Sequence, residues 1–280
     1  MESQIAALDQ QLIPGLSWKL PDAVDYIRKR RNAVFFPEGA AQYSPTQVRQ
    51  LRFTMADASV FVDPSTVQLC FTITNTSANR ALQFRTSNPL TMFSRMRLLM
   101  AGTLIEDVQY FGRWVNLLDT LEPYRKRLAR YGISGVGAPG ADPNGMSASI
   151  PANGTRRVCA NIPLGLFGQH NYIPTKYAPI TLECELNSNV AAFLNTAATD
   201  VAVAGSQTFT ISDCRILCDV VLLDGPMENK VSQHLLSGKT LPLHVISWVN
   251  VMSQIPGVPR QDGTFSVQLA RAYTRVKTIM

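Results

Sequence analysis

The sequence predicts an all-β fold, a jelly-roll β-sandwich laid out as an eight-stranded Greek key with a short helical insertion. Three observations predict it. Apolar and polar residues alternate with a period of two in segment after segment, as strands with one core face and one wet face require. Turn-forming residues stand between those segments, at Asp63-Pro64, Asn75 to Asn79, Asn88-Pro89, Ala101-Gly102 and Asn187 to Asn189. The connections between them are of very unequal length, which suits a Greek-key sandwich better than a barrel of regular hairpins.

The elements follow in order. In the second of the predicted strands Val67, Leu69, Phe71 and Ile73 alternate with Gln68, Cys70 and Thr72; near residue 180, Ile180, Leu182, Cys184 and Leu186 alternate with Thr181, Glu183 and Glu185. Further strands are expected at Val48 to Val60, Met92 to Met100, Thr103 to Val108, Thr155 to Ile162 and Phe209 to Leu223. The last is long enough to cross most of a sandwich. Between them Phe111, Val115, Leu118 and Leu121 recur at helical spacing, and Pro123 ends or restarts that helix, with a short second helix expected over Tyr124 to Tyr131. Ile133 to Gly154, rich in Gly, Pro, Ala and Ser, reads as a long surface loop, and Asn195 to Ser206 as a second excursion.

After Leu223 the character changes. Gly225-Pro226 and an amphipathic stretch from Met227 to Leu236, closed by Gly238, read as a linker; Leu241 to Met252 and Phe265 to Met280 again read as strands. The expected organisation is an N-terminal arm over 1–44, a first sandwich over 45–224, a linker helix over 225–240 and, over 241–280, strands too few to close a second sandwich. Leu243, Val245, Val249 and Val251 are expected to share one buried face.

Composition narrows the function classes. Hydrophobic residues make up 46% of the 280 and charged residues only 16%, so a packed protein is expected whose surface is largely uncharged, as happens where neighbours cover it. The formal charge of +6 is too small to define a nucleic-acid-binding protein by itself. No basic flank precedes the first apolar residues, and no segment reaches the roughly 20 apolar residues of a membrane span. The expectation is a soluble protein made inside a cell. Five cysteines, Cys70, Cys159, Cys184, Cys214 and Cys218, lack CxxC spacing; their odd number argues against a disulfide framework, and buried free thiols are expected.

Catalytic chemistry finds few candidates. His170, His234 and His244 fit no metal-binding spacing, and no GxSxG elbow, Walker loop or GxGxxG is present. Gly132 to Gly140 is glycine-rich but lacks a following Lys-Ser/Thr. Glu106 and Asp107 are adjacent on a strand and so point to opposite faces, unable to share a proton; capping of the following helix is their expected role. No catalytic, metal or cofactor-binding residue is assigned, and no cofactor is implied. The sequons at Asn75 and Asn153 are expected to be unused.

The densest charge feature is Arg28-Lys29-Arg30-Arg31, a candidate basic contact with nucleic acid, a membrane or a neighbouring subunit. A second cluster, Arg125-Lys126-Arg127 with Arg130, reads as an exposed helix face.

Three stretches carry a resemblance to a known family: AGTLIEDVQYFGRWVNLLDTL (Ala101 to Leu121), IPLGLFGQHNYIPTKYAPITLECEL (Ile162 to Leu186) and ISDCRILCDVVLLDGPMENKVSQHLLSGKTLPLH (Ile211 to His244). In pattern and order they resemble the double jelly-roll major capsid proteins of DNA viruses, in particular the polinton, polinton-like and virophage lineage. The resemblance implies a structural virion protein, not an enzyme, whose residues 241–280 begin a second jelly roll that continues in a longer polypeptide. It further implies homotrimers forming pseudo-hexagonal capsomers of an icosahedral shell, with contacts to the capsid lattice and to other capsid proteins such as a penton. Arg28 to Arg31 would then lie at the inner surface, against nucleic acid or an internal membrane, or at an intersubunit seam. The competing readings are a carbohydrate- or ligand-binding jelly roll, for which no aromatic and polar cluster is evident, and a single jelly-roll minor or penton protein, which needs no strand-rich tail. A cupin-like enzyme fails for want of metal-binding histidines.

Overall fold

Alternation writes two sheets. In the computed structural model, which describes residues 27–57, 60–86, 88–127, 129, 149–194, 205–251 and 276, eight main strands divide between them. Strands are numbered β1 to β14 in chain order. One sheet places β1 (Ile27–Phe35), β14 (Phe209–Leu223), β6 (Gln68–Asn75) and β11 (Thr155–Asn161) side by side; the other places β4 (Gln50–Met55), β13 (Ile180–Leu186), β8 (Phe93–Met100) and β9 (Thr103–Gln109). All of these pairings are antiparallel. Counting only these eight along the chain, the sheet orders are 1-8-3-6 and 2-7-4-5, the double Greek key of a jelly roll.

Shorter strands extend the edges. β2 (Pro37–Glu38) pairs with β4, β3 (Gln42–Tyr43) with β14, and β5 (Phe61–Val62) lies between β14 and β12 (Ile173–Pro174). β7 (Leu82–Gln83) pairs with β10 (Ser149–Ile150). β14 is the spine: along one side it meets β6 and then β5, along the other β3 and then β1. Its register breaks between Ser212 and Arg215, where Asp213 takes a left-handed backbone (φ 51°), as a β-bulge allows and as Asp tolerates better than most residues.

The inward phases of the two sheets face one another to make the core. Phe71 on β6 meets Phe93 on β8 edge to face, ring centroids 5.9 Å apart, and both are fully buried. β13 alternates buried and half-buried residues along its whole length, with Thr181, Glu183 and Glu185 on the wetter phase as its sequence requires. On that outer face Arg95 holds Asp107, Arg97 holds Glu183 at 2.9 Å, and Arg49 approaches Glu185 at 3.8 Å, so the charges of neighbouring strands alternate in sign. Met100 and Thr103 close a two-residue hairpin whose central residues, Ala101 and Gly102, both have positive φ, the twist a tight hairpin needs.

Helix α1 (Phe111–Leu121) leaves β9 and lays Phe111, Trp114 and Val115 on the core. It sits hard against the turn at Pro89–Met92: a Cβ on Gly112 would collide with the Thr91 carbonyl oxygen. Residues 124–127 are again helical after Pro123; the remainder of the second helix expected up to Tyr131, and most of the loop expected from Ile133, lie outside the described residues. The excursion expected from Asn195 is described only from residue 205, and the strand expected from Phe265 only at residue 276. Helix α2 (Gly225–Leu236) follows β14 and buries no residue.

Three expectations are corrected. Residues 27–44 are not an arm, since β1, β2 and β3 belong to the two sheets. β1 is invisible to a periodicity test because IRKRRNAVF places four basic residues in succession, on an edge strand whose residues are mostly exposed. The cysteines are not all free. Cys70 on β6 and Cys159 on β11 are direct cross-strand partners, their Cα atoms 4.1 Å apart, and form a disulfide; a separation of 89 residues hides that register from a count of cysteines. Finally, residues 241–251 form no strand. They lie against the sandwich with Leu243, Val245 and Trp248 on the core, while Leu241, Ile246, Val249 and Val251 are exposed. The inward phase slips between Val245 and Trp248, so Val249 and Val251 do not share a face with Leu243.

Candidate interaction surface

The basic run lies on β1, at the open edge of the larger sheet, and its four members have different surroundings. The Arg30 guanidinium spans two carboxylates, donating to Asp63 at 2.8 Å and to Asp219 at 3.0 Å. Those hydrogen bonds and charges hold its pKa above the ordinary arginine value, the Asp219 bond contributing most. Asp63 is nearly buried, and its carboxylate also accepts from the Ser65 backbone N–H (3.2 Å) and hydroxyl (2.7 Å). Arg31 reaches Asp57 at 3.4 Å. Arg28 and Lys29 have no ion pair among the described residues and are exposed. Two of the four positive charges are therefore matched within the fold, which leaves a much weaker basic patch than the bare sequence suggests.

This division makes a prediction. Replacing Arg30 and Arg31 together with Gln is expected to lower stability by about 1 kcal/mol or somewhat more, because a nearly buried Asp63 loses its counter-charge. The same change at Arg28 and Lys29 is expected to stay within about 0.5 kcal/mol of the parent. Chemical denaturation at low and high salt checks both, and the cost of the first pair should shrink as salt rises. Equal effects from the two pairs would contradict the assignment.

A second polar constellation sits where β9, the turn at Gly165–Gly168 and the trailing segment meet. On β9, Glu106 falls on the inward phase with Val108, whereas Asp107 points out to Arg95. Only 2% of Glu106 is exposed. Its carboxylate accepts the Gly165 backbone N–H at 2.9 Å and the Trp248 backbone N–H at 2.8 Å. Burial raises its pKa above the usual carboxylate range, and the two N–H bonds oppose that rise. Glu106 therefore does not cap α1 as expected: the residue preceding that helix is Tyr110, in a left-handed conformation and with no side-chain cap. Gly165 and Trp248 were not expected as partners. The available signal was a carboxylate on a core phase of a strand, which demands donors.

The remaining chemistry is sparse. His170, His234 and His244 are exposed on three separate segments. Burial pushes the Cys214 and Cys218 thiols up to about 12 and Cys184 higher still, so none is a ready nucleophile. Among the described residues no group of three His, Cys, Asp or Glu is placed to hold a metal, and no helix is long and apolar enough to cross a membrane. The Asn75 sequon is blocked: its amide nitrogen is fully buried and donates to the carbonyls of Arg80, Ile150 and Pro151.

No family model matches the sequence, and no curated protein matches it. Solved structures do. The PBCV-1 virus capsid, in a quasi-atomic model, aligns with a TM-score of 0.50 at 11% identity, over 73% of this chain and 45% of that one. The Sputnik virophage structure aligns at 0.49 with 13% identity, over 76% and 52%, and the Faustovirus major capsid protein at 0.47 with 7% identity, over 82% and 60%. The chain thus spans roughly half the length of the structures it matches. The likeness to the PBCV-1 chain is one of fold, and it agrees with the jelly-roll strand order described above.

Proposed function

We propose that the chain is the first part of a capsid shell protein of a DNA virus, with its place in the virion and a structural, non-enzymatic role. One observation carries the reading: the 1-8-3-6 and 2-7-4-5 sandwich aligns with 45% of a longer virus capsid chain. A second observation supports it. After α2 the chain leaves Leu241, Ile246, Val249 and Val251 exposed, as a chain approaching a second folded unit would carry them.

In this reading residues 225–240 link two jelly rolls, and residues 241–280 open the second. Three copies assemble into a pseudo-hexagonal capsomer, and capsomers tile an icosahedral lattice closed by other capsid proteins such as a penton. β1 and its exposed Arg28 and Lys29 face an intersubunit seam or the inner side, towards nucleic acid or an internal membrane. Native mass spectrometry and electron microscopy of the product of the complete reading frame test it. The expected result is a trimer of hexagonal outline; a monomer that persists at high concentration overturns it.

A further inference from the structure

The segment after α2 is held on the sandwich by few but specific contacts. The Trp248 N–H meets one oxygen of the buried Glu106 carboxylate, and the other oxygen takes the Gly165 N–H. The Asn250 side-chain amide donates to the Gln109 carbonyl at 2.5 Å, at the end of the same strand. The indole of Trp248 packs on that of Trp114, ring centroids 5.4 Å apart. At Gly165 the segment comes so close that an added Cβ would collide with the Ile246 backbone carbonyl, a position no side chain can share. Before these contacts the attachment is made by exposed polar groups, Lys176 to Glu228 at 3.4 Å and the Tyr177 hydroxyl to that of Ser232 at 2.7 Å. Helix α2 has half-buried but no fully buried residues, Gly238 turns with φ 76°, and residues 239–242 are exposed.

We propose that residues 243–250 are a strap and Glu106 its latch, a positioning residue that fixes the register and path of the chain as it leaves the sandwich. The chemistry is register-specific. A carboxylate with two oxygens bridges one N–H of the sandwich and one of the strap. A slip by one residue would remove Asn250 from Gln109 and turn the Trp248 indole away from Trp114. Because the carboxylate is buried, its hydrogen bonds are not exchanged for water at low cost, so removing it leaves two backbone donors without acceptors. The exposed residues 239–242 after Gly238 give the strap somewhere to go when it is released. The inference concerns this chain alone and stands whether or not the chain is a capsid protein.

Two variants approach the strap from opposite sides. Glu106→Ala removes the acceptor; Gly165→Ala keeps the acceptor and every sandwich contact of Glu106 but fills the space under Ile246. Hydrogen exchange of peptides covering 243–251 is the first readout. The second is the near-ultraviolet circular dichroism that the Trp114 and Trp248 pair produces. Both variants are expected to lose protection in 243–251 by about 10-fold to 100-fold, the equivalent of one or two unmade buried hydrogen bonds. Both should also lose the indole coupling, while amides of β13 and β14 keep their protection. Glu106→Gln, which retains one acceptor oxygen, is expected to restore part of the protection. Unchanged exchange in 243–251 in Gly165→Ala overturns the proposal. So does loss of protection throughout β13 and β14 in step with the strap, since Glu106 would then support the sandwich rather than latch a strap.

Discussion

Replacing Phe93 with alanine is expected to destabilise the fold by about 3–5 kcal/mol, measured as a lower denaturation midpoint with an unchanged slope. Phe93 opens β8, is fully buried, and meets Phe71 of the opposite sheet edge to face. Truncation removes its contribution to burial and leaves a void between two sheets whose backbones, fixed by their own ladders, cannot close over it. The ring pair adds a smaller increment. A double-mutant cycle with Phe71→Leu is expected to give a coupling of about 0.5–1.5 kcal/mol. A loss below about 1 kcal/mol in Phe93→Ala would mean that the sheets do not depend on this contact.

A loss of similar size, about 3–5 kcal/mol, is expected for Asn75→Ala, by a different mechanism. Asn75 ends β6 fully buried, and its amide nitrogen is shared among the carbonyls of Arg80, Ile150 and Pro151 at 2.8, 3.2 and 3.0 Å. Its side-chain oxygen accepts the Ser77 N–H at 3.1 Å. One side chain thus ties the end of a main strand to the loop after it and to β10. Alanine leaves several backbone groups unpaired out of reach of solvent, each costing about 1–3 kcal/mol, with partial relaxation offsetting some of the sum. Asn75→Asp is expected to be worse, since a carboxylate would face three carbonyl oxygens. Limited proteolysis of the Asn75→Ala variant should cut first between residues 76 and 81; a first cut elsewhere would show that Asn75 does not anchor that loop.

Where strands bury one face and wet the other, the sequence already contained them. Phe209–Leu223 shows this best, because its alternation is long and its register bulge at Asp213 falls between two apolar runs. α1 was legible for the same reason, with period and proline both present. β1 was not, because its partners are backbone groups of β14 and its charges obey edge protection rather than burial. The two-residue strands carry too few positions to show any period. The disulfide and the Glu106 constellation were hidden by distance along the chain. Glu106 lies 59 residues from Gly165 and 142 from Trp248, and only the closed sandwich brings them together. Of the basic run, its composition was legible but the pairing of Arg30 was not, since Asp63 caps the turn after β5 and Asp219 lies on β14.

The pairing of β1 with β14 also governs when the sandwich can exist at all. Arg30 and its partner Asp219 are 189 positions apart in sequence, so the first main strand waits for the last before it gains a neighbour. During synthesis β1 leaves the ribosome long before β14 is made, and the larger sheet lacks its spine until residue 223 is available. Folding dominated by such distant pairings is slow, and an unpaired edge exposed for that interval invites association with other nascent chains. Four consecutive positive charges on the waiting strand repel its own copies. On this view Arg28 to Arg31 are as much a safeguard for the unfinished polypeptide as a feature of the finished one.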